Sequence, residues 1–206
     1  MKKIERQPSS LHLYEQYRPL MKTGDVIAFD GNSGFSKFIK LFTHSPYSHT
    51  AIILRDDSAL FGETLLLIES STQLKMSDAT GNEAMKGVQM HFLGQRLSMF
   101  EGSAFWLPLK NPIPQQQQEK MLAWLRHIYA EKVSYTYVRV WGIPLAKIED
   151  ACGIKLKLDY SKLFCSELVT RALQVAEVID DSIDPASQTP ANVAHFKCFE
   201  KPIQIV

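Results

Sequence analysis

The sequence predicts an α+β fold: antiparallel strands first, then two long helices that pack on them. Apolar runs of strand length, Val26-Ile27-Ala28-Phe29, Ala51-Ile52-Ile53-Leu54 and Leu65-Leu66-Leu67-Ile68, stand close together in the first third of the chain. The last two are joined by a short polar connection, most simply an antiparallel hairpin. Later, apolar residues recur at helical spacing over residues 115–132 and again from 161 or 162 to 179.

The elements follow in order. Residues 1–20 form a polar lead-in, with a short helix over 11–17. Gly24-Asp25 makes a turn into a first strand, which ends at Gly31-Asn32-Ser33-Gly34. Phe35, Phe38, Ile39 and Phe42 have helical spacing, so Ser33 is read as the cap of a short amphipathic helix. A loop carrying Pro46 then delivers His49 to the strand over 49–54. The next strand covers 64–69. If Leu54 lies opposite Thr64, His49 falls opposite Glu69 on one face, and a slip of one residue would separate them. Further strands are expected at 88–92 and 104–109. Asn111-Pro112-Ile113-Pro114 is a break before the helix over 115–132. Residues 135–153 are aromatic and irregular, with a helical stretch around 143–152. On the last helix, Leu168, Ala172, Leu173, Val175 and Ala176 form the inward side. There is no repeat or linker, so residues 1–206 read as one domain.

Composition narrows the function. A chain of 206 residues, 45% hydrophobic and 22% charged, can bury a sizeable core. With 23 Lys and Arg against 22 Asp and Glu, it carries no field that would draw it to nucleic acid. The three cysteines, Cys152, Cys165 and Cys198, are widely spaced and suggest neither a disulfide framework nor a zinc site. No transmembrane segment and no signal peptide are legible, so a cytoplasmic protein is expected, with non-classical secretion the alternative. No metal and no cofactor are expected.

Cys165 stands where a polar loop gives way to an amphipathic helix. Backbone N–H groups and the helix dipole stabilise a thiolate there. His49 opens a strand and can share the thiol proton, while Glu69 can orient the imidazole. The Cys165 amide is a candidate oxyanion donor. Tyr47 and Ser48, beside His49, and Tyr135 and Tyr137, ahead of the thiol, are candidate substrate-binding or oxyanion groups. Each has a plainer alternative: Cys165 as a small buried hydrophobe, His49 as a satisfied strand-end histidine, Glu69 as a solvated carboxylate and the tyrosines as core aromatics. Ser70, Ser71 or Thr72 could orient the ring instead of Glu69. Cys152 and Cys198 open no helix and read as packing residues.

Several segments together resemble a known family: Gly24-Asp25-Val26-Ile27, Ser45-Pro46-Tyr47-Ser48-His49-Thr50-Ala51-Ile52-Ile53, Phe164-Cys165-Ser166-Glu167-Leu168-Val169 and Thr189-Pro190-Ala191-Asn192-Val193. They look like the circularly permuted branch of the NlpC-type papain-like cysteine hydrolases, in particular its YiiX- and YebB-like members, with lecithin–retinol acyltransferases more distant. The order His49 before Cys165 is the permuted one. The resemblance implies a papain-like fold, a small antiparallel sheet or barrel with the nucleophile at the N-terminus of a packed helix. It implies Cys165 as nucleophile, His49 as base and Glu69 as third residue. The chain departs from the family at Tyr135-Thr136-Tyr137, where relatives carry Tyr-Asp, and at Cys165-Ser166-Glu167, where the acyltransferases carry Asn-Cys-Glu-His. The expected function is a thiol hydrolase, a cysteine peptidase or amidase, cleaving a short peptide or peptidoglycan-derived amide. Two alternatives remain: a lipid acyltransferase or phospholipase of the same superfamily, and a non-catalytic binding or effector module.

Overall fold

The structure, a computed structural model, describes residues 11–31, 45–56, 64–71, 74–83, 85–130 and 161–206, the side chains of 161–164 excepted. The expected helices from Ser33 to Phe42 and over 143–152, and the candidates Tyr135, Tyr137 and Cys152, lie outside the described residues.

Helix α1 (His12–Tyr17) and a short 3-10 turn (Arg18–Leu20) precede strand β1 (Val26–Gly31). Then come β2 (His49–Asp56), β3 (Thr64–Ser71), β4 (Gly87–Phe92), helix α2 (Leu93–Ser98) and β5 (Gly102–Leu107). Helices α3 (Gln115–Ala130), α4 (Ser161–Val175) and α5 (Pro190–Ala194) and the short strand β6 (Ile203–Gln204) complete the order. The strands form one antiparallel sheet in the order β4-β3-β2-β1-β5-β6. Among the described residues it is an open sheet of six strands with β4 and β6 at its edges, larger than expected and not closed into a barrel.

The apolar runs are continuous rather than alternating because both faces of the sheet are buried. Val26, Ala28, Ile52 and Ile68 pack under α3 and α4, meeting Met121, Leu125, Leu168, Val169, Ala172 and Leu173. Ile27, Phe29, Ala51, Ile53 and Leu67 face the other way, against Tyr14 of α1 and Leu93 and Leu97 of α2. Val175, expected on the inner side of α4, packs only at the margin of its core.

Three boundaries differ from expectation for local reasons. The strand expected at 104–109 ends at Leu107, because Pro108 has no N–H for the ladder, and Leu109 makes only an isolated bridge to Phe199. Helix α4 stops at Val175 rather than at 179. Glu177 adopts a left-handed φ of 56°, and the Val178 and Glu177 N–H groups return to the Leu173 and Gln174 carbonyls at 2.9 and 2.8 Å. These two bonds make a Schellman cap built without glycine. The β2–β3 register is offset by two residues, pairing Leu54 with Leu66 and Asp56 with Thr64. Continued, it sets His49 across from Ser71 and diagonal to Glu69. A two-residue offset preserves the face.

The Gly24-Asp25 turn is a structural clasp. The buried Asp25 carboxylate accepts from Lys22 N–H, Trp106 Nε1–H and Leu109 N–H, each at 2.9 Å, tying the start of β1 to the end of β5. Burial outweighs these donors and raises the Asp25 pKa.

Candidate active site

The site forms where β2 begins, β3 ends and α4 crosses the sheet. His49 is the first residue of β2, and its register with Phe29 of β1 is fixed by the pair on the sheet. Ser48 locks this corner: its hydroxyl donates to the Phe29 carbonyl at 3.3 Å and accepts from the Gly31 N–H at 3.1 Å. The single hydroxyl proton of Ser48 is therefore committed to the backbone. Tyr47 packs in the core, edge-on to Phe105 with ring centroids 5.4 Å apart, the core position weighed against a cleft role.

Glu69 is fully buried, and three neighbours share its carboxylate. His49 Nε2 lies 2.5 Å from Oε2. Arg96 of α2 donates from Nε to Oε1 at 2.7 Å and from an Nη2 proton to Oε2 at 3.3 Å. His91 of β4 comes within 3.6 Å of Oε1. The Gln89 amide nitrogen donates to the carbonyls of Ser71 and Met85, so its oxygen must accept the His91 Nε2 proton, at 3.0 Å. Burial lowers the pKa of His91 and keeps that ring neutral, with Glu69 opposing the shift.

Cys165 is buried on α4, one helical stripe with Val169 and Ala172. Its side chain hydrogen-bonds the His49 ring. With Nε2 held by Glu69, the ring offers Nδ1 to the sulfur. The imidazole is thus placed between a thiol and a carboxylate, the arrangement a nucleophile, base and orienting group require. Cys165 is the fifth residue of α4, so the unbonded N–H groups of the helix start belong to the residues before it, not to the Cys165 amide as expected. The neighbouring Ser166 hydroxyl donates to the Gln188 carbonyl at 2.6 Å, anchoring α4 to the segment before α5. There Thr189 and Asn192 form a reciprocal capping box, which explains the Thr189-Pro190-Ala191-Asn192 run.

The electrostatics follow from the neighbours. Burial opposes charge on His49, but Cys165 and the carboxylate of Glu69, by charge interaction and hydrogen bonding, outweigh it and lift the ring to about 9. Burial likewise pushes the Glu69 carboxyl up, yet Arg96 and His49 reverse this and hold it well below the ordinary carboxylate range. Cys198, by contrast, is pushed up to about 11 by burial, as suits a packing thiol.

Arg96, His91 and Gln89 were not singled out by the sequence. The available signal was the polar stripe of Gln89 and His91 on a strand paired with Glu69, followed by Arg96 on the next element. A cleft of about 700 Å³ bordered by Ile113, Glu177 and Phe196 includes none of these residues. Among the described residues, no group of three or more His, Cys, Asp or Glu side chains is disposed to hold a metal ion. Nor is any described helix long and apolar enough to cross a membrane.

No known protein family matches the chain, and no curated protein does. Among solved structures, the crystal structure of the metalloprotein YiiX from Escherichia coli O157:H7 is similar at 19% identity and a TM-score of 0.49, covering 88% of this chain and 96% of that one.

Proposed function

We propose that the chain is a thiol hydrolase of permuted papain-like design that cleaves an amide bond through an acyl-enzyme on Cys165. The observation that carries this is the His49 ring held between Cys165 and the buried Glu69–Arg96 pair. An imidazole bonded to a thiol on one side and to a carboxylate on the other is the arrangement by which a base activates a cysteine nucleophile.

In the first half-reaction His49 Nδ1 takes the Cys165 thiol proton and the sulfur attacks the amide carbonyl carbon. The carbonyl electrons move to oxygen, and their return expels the amine, which takes its proton from His49 Nδ1. The products are a Cys165 thioester and a free amine. In the second half-reaction neutral His49 takes a proton from water, the resulting hydroxide attacks the thioester, and the imidazolium returns that proton to the departing sulfur, releasing the carboxylic acid and restoring the thiol. Glu69 remains an anion throughout and steadies the imidazolium. The substrate class is a short peptide or a peptidoglycan-derived fragment.

The test is to incubate the protein with peptidoglycan-derived peptides and quench in acid. Intact-mass spectrometry should show a transient acyl adduct that maps to Cys165, together with released amine. The Cys165→Ala variant, folded by circular dichroism, should form neither. Equal amine release by that variant would overturn the proposal.

A further inference from the structure

We propose that Arg96 is a positioning residue of the thiol site, supplying the buried positive charge that lets the Glu69 carboxylate and the charged Cys165–His49 pair coexist and aiming Oε2 at the imidazole. This rests on the thiol-hydrolase function proposed above and deepens it.

The geometry is specific to a guanidinium. Two of its N–H groups meet the two carboxylate oxygens of Glu69 at 2.7 and 3.3 Å, a fork that fixes the plane of the carboxylate. Its carbon stands 4.9 Å from the centroid of Phe29 and 5.5 Å from that of Phe100, and those two rings pack edge to face at 4.8 Å. Phe29 also contacts the His49 ring, 5.5 Å between centroids. The rings exclude water and hold the cation in place.

Among the described residues, the charged and titratable groups that face Glu69 are His49 from β2, His91 from β4 and Arg96 from α2, with Cys165 from α4 beyond the His49 ring. His91 is kept neutral by burial. A thiolate, an imidazolium and a carboxylate together would leave one uncompensated negative charge in a buried place. Arg96 cancels it. Without Arg96 the cluster binds protons more tightly, and protonation of Glu69 releases the ring from its orienting partner. An opposite charge within a few ångströms shifts a titration by about 1–3 pH units. Replacing Arg96 by an apolar residue should therefore move both limbs of the site's pH profile upward. A purely structural residue would change rates or stability while leaving the limbs where they are.

The experiment measures the rate of Cys165 alkylation by iodoacetamide against pH, read by mass spectrometry on the Cys165 peptide, in the full chain. Wild-type, Arg96→Met, Arg96→Lys and His49→Ala proteins are compared, each checked for folding by circular dichroism. Arg96→Met should shift both limbs up by about one pH unit or more. Arg96→Lys, which keeps the charge and loses the fork, should hold the limbs within about 0.3 unit while slowing alkylation severalfold. Unchanged limbs in Arg96→Met would overturn the proposal. If Arg96→Met does not fold, a shift in Arg96→Lys as large as that expected for Met overturns it instead. A wild-type profile identical to that of His49→Ala would sink the thiol-hydrolase function itself, a separate result.

Discussion

Glu69→Gln separates a charged, oriented site from a merely packed one. Gln keeps the shape of Glu but removes the charge that faces Arg96 and His49. It also offers an NH2 where two donors already point, from His49 Nε2 at 2.5 Å and Arg96 Nε at 2.7 Å. At least one donor then meets another donor in a place with no solvent, since the Glu69 side chain is fully buried. Breaking a buried ion pair by removing one partner costs about 3–5 kcal/mol. His49 also loses its orienting anion, a loss of about 2–3 kcal/mol in the barrier, or roughly a hundredfold in turnover. The assay is urea unfolding followed by tryptophan fluorescence, beside the acyl-adduct measurement. The double variant Glu69→Gln/Arg96→Met, which removes both charges, should regain about 2 kcal/mol relative to Glu69→Gln. Stability within about 1 kcal/mol of wild type for the single variant would refute the reasoning, because the carboxylate would then not be anchoring a buried cation.

Other outcomes follow from the same contacts. His49 is raised from 6.5 to about 9, so its contribution to stability is complete below about pH 6.5 and is lost as pH rises through about 9. That contribution is on the order of 3 kcal/mol, and the urea midpoint should fall between about pH 6 and about pH 10 more steeply in wild type than in His49→Asn. Parallel curves would contradict it. Glu69, being depressed, contributes fully above the ordinary carboxylate range and loses that contribution progressively as pH falls below that range into strong acid. Asp25→Ala strands the Trp106 Nε1–H and two backbone N–H groups and should cost about 2–4 kcal/mol, measured by the same unfolding curve. Leu173→Ala opens a cavity between α4 and the sheet and should cost about 2–5 kcal/mol; a loss below about 1 kcal/mol would mean that the helix is not seated there.

What could be read from the residues depended on where each signal is local. His49 and Glu69 stand at the ends of apolar runs, so they were visible once those runs were paired. The two-residue error in register did no harm, because side-chain facing repeats every two residues. Cys165 was legible from the helical periodicity that follows it, though its place one turn inside α4 and its full burial were not. The polar stripe of Gln89 and His91 ahead of Arg96 was a weak signal for a physical reason. The alternation Val88-Gln89-Met90-His91 reads as a strand with one face in water, and only tertiary packing shows that α2 covers that face. Helix α2 itself is short and contains Gly94, which lies against the Tyr14 ring, so neither length nor propensity announced it. The end of α4 was missed because Glu177, not glycine, takes the left-handed cap position. Strand β6 is two residues long and has no periodicity to detect.

Titration of the His49 imidazole by NMR, in wild type and in Cys165→Ala, measures the contact on which everything else depends. The ring should titrate near about 9 in wild type, and distinctly lower in Cys165→Ala, where the strongest influence raising it is gone. A His49 that titrates at the same pH in both proteins would show that sulfur and imidazole do not meet.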